Sequence, residues 1–162
     1  MIANTFGSAL FSAQEVLFDE QVFLMKFSYS PSIYPKYYPR LGETQLQRFF
    51  LDYNGHTYWL SGSLKKLTGS KKIPAWINLA FGYSANGMLQ EFDNPQNYQG
   101  NPIPHFERYR QFIFSLDVDF TKIPTKKSWL KTVFRAINLI KIPFPALEFN
   151  RIDGFRFRSL YF

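Results

Sequence analysis

Asp117 and Asp119 lie two residues apart in the stretch Ser115-Leu116-Asp117-Val118-Asp119. On an extended chain that spacing sets both carboxylates on one face. Paired carboxylates can bind a cation or share a proton. Arg108 and Arg110 precede them, and Asn78 and Tyr83 come from another alternating segment. Together these residues form a candidate polar cluster. A plainer reading turns the same face to water, to a barrel lumen, or to the two arginines as ion partners.

Other chemistry is thinly supplied. His56 and His105 are the only imidazoles, and they fall in separate loops. A zinc site needs more ligands, and a catalytic triad needs a nucleophile and an orienting acid beside its histidine. Cysteine is absent, which excludes disulfides, thiolate zinc sites and cysteine nucleophiles together. Gly82-Tyr-Ser-Ala-Asn-Gly87 has spaced glycines, but it lies within a strand pattern and no helix start follows it, so it is not a phosphate loop. Small residues there suit a bend in a sheet or the close approach of another element. No catalytic residue, metal or cofactor is indicated.

Aromatic residues make up 20% of the chain, and Phe alone supplies 19 of 162 residues. Trp59, Trp76 and Trp129 lie within sequence reach of paired lysines, among them Lys65-Lys66 and Lys126-Lys127. Rings beside cations suit a membrane–water interface, and these seven residues are the candidate interface set. The alternative is tryptophans in a core beside solvated loops. A net charge of +7 also suits nucleic acid, but no single element carries a basic stripe with spaced aromatics, so no nucleic-acid partner is expected.

The elements that must position these groups read as follows. Residues 2–18 have helical spacing through Ile2, Phe6, Leu10 and Ala13. Residues 21–30 alternate as a strand, and the proline- and tyrosine-rich stretch 31–43 is a stiff loop. Thr44 caps a short helix to Asp52, with Leu46, Phe49 and Phe50 expected inward. Strands follow at 57–64, 76–85 and 107–120, with a long loop at 91–106. An amphipathic helix spans about 127–141 and is expected to cover a sheet, the other reading being a membrane surface. A hairpin or long strand around Asp153-Gly154 closes the chain, alternating aromatic and basic residues up to Phe162. The fold class is therefore mainly β with helices (α+β): an antiparallel sheet or an incomplete outer-membrane-type barrel. Five or six strands fall short of the roughly eight that a single-chain membrane barrel needs.

Two stretches resemble known families. Met1-Ile-Ala-Asn-Thr-Phe-Gly-Ser-Ala-Leu10 resembles the last helix of VanZ-like domains. Asp52-Tyr-Asn-Gly-His-Thr-Tyr-Trp-Leu-Ser-Gly62 and Ile77-Asn-Leu-Ala-Phe-Gly-Tyr-Ser-Ala-Asn-Gly-Met88 resemble an uncharacterised bacterial envelope family, the YfiM-type predicted lipoproteins. Glu107 to Phe112 and Ser115 to Asp119 extend that similarity. The resemblance implies residence in the cell envelope, at the outer membrane or in the periplasm. It implies no catalytic residues. It also implies that residues 1–18 are the remnant of a larger helical region and that 19–162 form the β-rich domain.

The expected function is that of an outer-membrane-associated structural or interaction protein that binds membrane lipid or an envelope protein. A homo-oligomer formed through an unpaired sheet edge stays open. Two alternatives stand beside it. One is an enzyme acting on an envelope lipid or glycan through Asp117 and Asp119, in a polar cavity beside the 91–106 loop. The other is a small-ligand-binding barrel whose closed cavity is lined by Tyr83, Asn78 and Ser115.

Overall fold

Period-two alternation governs this chain, and the computed structural model, which describes residues 5, 8, 9, 12–14, 16 and 22–162, shows the sheet it builds. Six strands pair antiparallel in the order β1-β2-β3-β6-β7-β8. They are β1 (Phe23–Tyr29), β2 (His56–Ser63), β3 (Ile77–Asn86), β6 (Tyr109–Val118), β7 (Phe144–Asn150) and β8 (Gly154–Tyr161). The short pair β4 (Asn97–Tyr98) and β5 (Asn101–Pro102) forms a separate ladder within the expected 91–106 loop. The sheet is not closed: among the described residues, β8 has β7 as its only strand partner. The free edge of β1 is covered by a connection, since Phe27 N donates to Leu139 O at 3.0 Å and Lys141 N to Phe27 O at 2.9 Å.

Among residues 22–162, three α-helices decorate the sheet: α1 (Gln45–Leu51), α2 (Leu64–Thr68) and α3 (Ser128–Ile137). Thr44 caps α1 in a capping box with Gln47, which fixes its start. The burial expected of α1 is corrected: Leu46 and Phe50 are exposed, and no residue of the helix is buried. The expectation that α3 covers the sheet is also corrected, because none of its residues is buried. Residues 5, 8, 9, 12–14 and 16 are helical, and the rest of the expected 2–18 helix lies outside the described residues. Gln14 Oε1 accepts from the backbone N–H groups of Val22 and Phe23, which ties that segment to the start of β1.

Two small apolar cores are present among the described residues. At one end of the sheet Tyr34, Tyr38, Leu41 and Leu89 pack together with Tyr98, Ile103 and Phe106, joining the proline-rich loop to the 91–106 loop. Asn94 holds that union, donating to Gly87 O and Phe106 O while accepting from Leu89 N. The second core, Trp59, Ala80, Ile113 and Ala146 with Tyr161 against it, lies inside the sheet. Gly82 makes room for the Trp59 ring, because a Cβ there would stand 2.7 Å from it.

Candidate functional site

The register decides which side chains meet. Across β2, β3 and β6, Ser61 faces Ala80 and Ala80 faces Ser115, one step from Asn78 opposite Asp117. These residues belong to the inner face, and all are buried. The alternate residues point outward. Tyr58 faces Tyr83, Tyr83 faces Phe112, and Phe81 faces Phe114. All of these are exposed, as are Leu79, Leu116 and Leu147. Phe155 and Phe157 on β8 are more than 70% exposed. The sheet is therefore inverted relative to a water-soluble one: its polar face is covered and its aromatic face is bare.

A polar network occupies one end of the inner face. Lys26 Nζ lies 2.9 Å from Asp117 Oδ2, and both side chains are fully buried. The same ammonium donates to Val118 O at 2.7 Å and to Asn138 Oδ1 at 3.2 Å. Ser61 donates to Asp117 Oδ2 at 2.6 Å, and Asn78 Nδ2 donates to Ser61 Oγ at 3.0 Å. Lys141 donates to Ser115 Oγ and to Ile142 O, and its ammonium sits 4.8 Å from the centre of the Trp59 ring. Burial pushes the Lys141 ammonium down to about 8; Asp117 opposes that shift and Lys26 adds to it.

A second network lies at the other end of the inner face, beyond Trp59. Glu148 is fully buried. Its Oε1 accepts from Gln111 Nε2 at 2.6 Å and from Asn150 Nδ2 at 2.8 Å, and its Oε2 accepts from Arg158 Nε at 2.8 Å. A register shift in β8 turns Tyr161 inward, to within 3.5 Å of the Thr57 hydroxyl and edge-on to Trp59. A cavity of about 240 Å³ opens beside Glu148, lined by Ser30, Thr57, Gln111, Arg158 and Tyr161 among others. Both oxygens of Glu148 are already engaged by donors, so this carboxylate serves to position Gln111, Asn150 and Arg158.

The candidate cluster is only partly assembled. Asn78 and Asp117 face each other and share Ser61. Asp119 does not join them: it caps the turn that follows β6, accepting from Thr121 N at 3.0 Å. Arg110 and Tyr83 meet on the opposite, outer face, with the guanidinium 5.7 Å from the ring centre. Arg108 lies in the loop before β6 and donates to Glu91 O at 2.7 Å. The ion partner of Asp117 is thus Lys26, which corrects the assignment to Arg108 and Arg110. Strand parity explains the correction, because Arg110 and Asp117 are an odd number of residues apart and project to opposite faces.

The interface set divides as well. Trp76 and Trp129 are exposed, as are Lys66, Lys126 and Lys127, and Lys65 is half-buried. Trp59 is fully buried and donates from Nε1 to Ser28 Oγ at 2.9 Å, so it is an interior residue and not an interface one. His56 and His105 remain apart. His56 is packed beneath α1 with its Nε2 2.8 Å from Phe49 O, and His105 is exposed. Among the described residues, no group of three or more His, Asp or Glu could hold a metal ion. The cavity imagined from Tyr83, Asn78 and Ser115 does not form, since Tyr83 lies on the outer face and the other two on the inner.

Sequence reasoning missed Lys26, Lys141, Glu148 and Arg158 as members of the interior networks. A usable signal existed for Lys26, the lone charge on the otherwise small or apolar inner face of β1, where its neighbours are Leu24 and Ser28. No family model, curated protein or solved structure matches the chain.

Proposed function

We propose that this chain is an outer-membrane-associated envelope protein of structural or interaction type, with the outer face of its sheet in contact with lipid. The observation that carries the reading is the inverted polarity. Water would stabilise the opposite arrangement, with Phe112, Phe114 and Leu116 covered and Ser115 and Asp117 exposed. Hydrocarbon reverses both preferences, because apolar side chains cost nothing there and polar ones must find partners inside; the open edge of β8 must then be paired by another chain or covered. Strand length supports the same conclusion. β3 and β6 have 10 residues each. Roughly 10 residues, tilted about 45°, is what crosses a bilayer as a strand. No described helix is long and apolar enough to cross a membrane. The resemblance to YfiM-type envelope proteins points to the same compartment.

The enzyme reading has less support. Asp117 faces Asn78 at the start of β3, whereas the 91–106 loop follows the far end of that strand at Asn86. Eight residues of strand put about 26 Å between them. Asp117 is already held by Lys26 and Ser61.

Membrane retention tests the proposal. Membranes from cells that express the chain are washed with high salt and then with alkaline carbonate. The chain is expected to stay with the membrane pellet and to come free only with detergent. Recovery in the soluble fraction without detergent would refute a lipid-facing sheet. Retention lost in high salt alone would mean that surface charge and not the apolar face holds the chain, and would refute it as well.

A further inference from the structure

The meander sends its connections to two ends of the sheet, and charge is shared very unequally between them. Connections 64–76 and 119–143 leave from the end where Asn78 faces Asp117. They carry ten of the 19 lysines and arginines and a single carboxylate, Asp119. Connections 30–55, 87–108 and 151–153 serve the opposite end and carry five basic and six acidic residues. The two basic connections touch, because Asp119 N donates to Trp76 O at 2.9 Å. Glu15, Asp19 and Glu20 fall outside the described residues.

Apolar groups accompany the cations at this end. Helix α3 exposes Trp129, Val133 and Ile137 on one stripe and Lys131 and Arg135 on another, and Trp76 is exposed in the other basic connection. A helix of this composition with no buried residue suits the plane of a membrane interface, its stripe among acyl chains and its cations among phosphates. Neither solvated loops nor nucleic acid would account for the bare apolar stripe.

We infer that the basic end of the sheet is seated among the phosphate headgroups of an anionic leaflet, with α3 lying in the interface plane, and that this contact fixes which way the sheet points across the bilayer. The inference rests on the lipid-facing reading proposed above. The chain is reconstituted into vesicles of phosphatidylcholine alone or with phosphatidylglycerol. A water-soluble amine reagent then labels lysines, and mass spectrometry gives the rate at each site. Lys71, Lys72, Lys126, Lys127 and Lys131 are expected to react about tenfold more slowly on anionic than on neutral vesicles, with Lys36 at the far end unchanged. Replacing Lys126, Lys127 and Lys131 together by Gln should weaken binding to anionic vesicles about a hundredfold, roughly fivefold per cation, whereas replacement by Arg should preserve it. Equal labelling on both vesicle types, or tighter binding to duplex DNA than to anionic vesicles, would overturn the inference and leave the lipid-facing sheet intact. Release from both vesicle types by alkaline carbonate would overturn the two together.

Discussion

Replacing Lys26 by Met leaves Asp117 as a carboxylate buried without its counter-ion, and the geometry allows the cost to be worked out. At an effective dielectric constant of about 20, unit charges 2.9 Å apart attract by about 6 kcal/mol. Part of that is retained, because Ser61 still donates to Asp117 and the Lys141 charge still acts on it. Val118 O and Asn138 Oδ1 also lose a charged donor, although Asn138 keeps its bond from Phe120 N. Breaking a fully buried pair from one side costs about 3–5 kcal/mol, and Lys26→Met should fall in that range. The double variant Lys26→Met/Asp117→Leu removes both charges and should recover most of the loss. Urea titration of the micelle-folded protein, followed by tryptophan fluorescence, reads both effects as midpoint shifts at constant slope. A single-variant cost below about 1 kcal/mol, the value of an exposed pair, would refute the reasoning. It would show that water reaches the inner face and that the network is not an interior one.

Three further perturbations separate the two faces. Phe114→Arg, at the middle of β6 on the outer face, should destabilise the bilayer-folded protein by about 2–4 kcal/mol, and unfolding in vesicles measures it. Lys141 is depressed to about 8 in the folded chain, below its ordinary value, so the unfolded chain binds more protons between these limits and stability should rise with pH across that window. Lys141→Met should therefore be more stable than the parent by about 1–2 kcal/mol at pH 7, with the gain fading as pH rises from about 8 to 10.5; stability curves at pH 7, 9 and 10.5 check it. Gly82→Ala forces a Cβ against the Trp59 ring and should cost about 1–3 kcal/mol by denaturant titration.

The strands were legible because their signal is local. Alternation in 21–30, 76–85 and 107–120 anticipates β1, β3 and β6 to within two residues at each end, and Asp153-Gly154 marks the turn of the last hairpin, where Gly154 adopts a φ of +67°. The short helix α2 was not legible, because Leu64-Lys-Lys-Leu-Thr68 is too brief for helical periodicity to show against the adjoining loop.

Which face is covered depends on the solvent and not on the period. The residue sizes held a clue. The inner face carries Ser61, Ala80, Gly82, Ser84 and Ser115, and the outer face carries rings. A sheet that curls far enough for Tyr161 on β8 to touch Thr57 on β2 crowds its concave side, which leaves room there for small residues and a single Trp59. The partners of the site were hidden for another reason. Lys26 and Asp117 are 91 residues apart, and they meet only because β6 curls toward β1 across the inside of the sheet. Sequence proximity favoured Arg110, which strand parity sends to the other face.

Because the chain has no cysteine, single cysteines can be placed along β6 and spin-labelled in the vesicle-reconstituted protein. Relaxation of each label by oxygen, which concentrates in hydrocarbon, is compared with relaxation by a water-soluble nickel chelate. Labels at Phe112→Cys, Phe114→Cys and Leu116→Cys should be reached by oxygen and not by the chelate, while Ile113→Cys and Ser115→Cys should be shielded from both. Ready access of the chelate to positions 112, 114 and 116 would contradict the lipid-facing sheet.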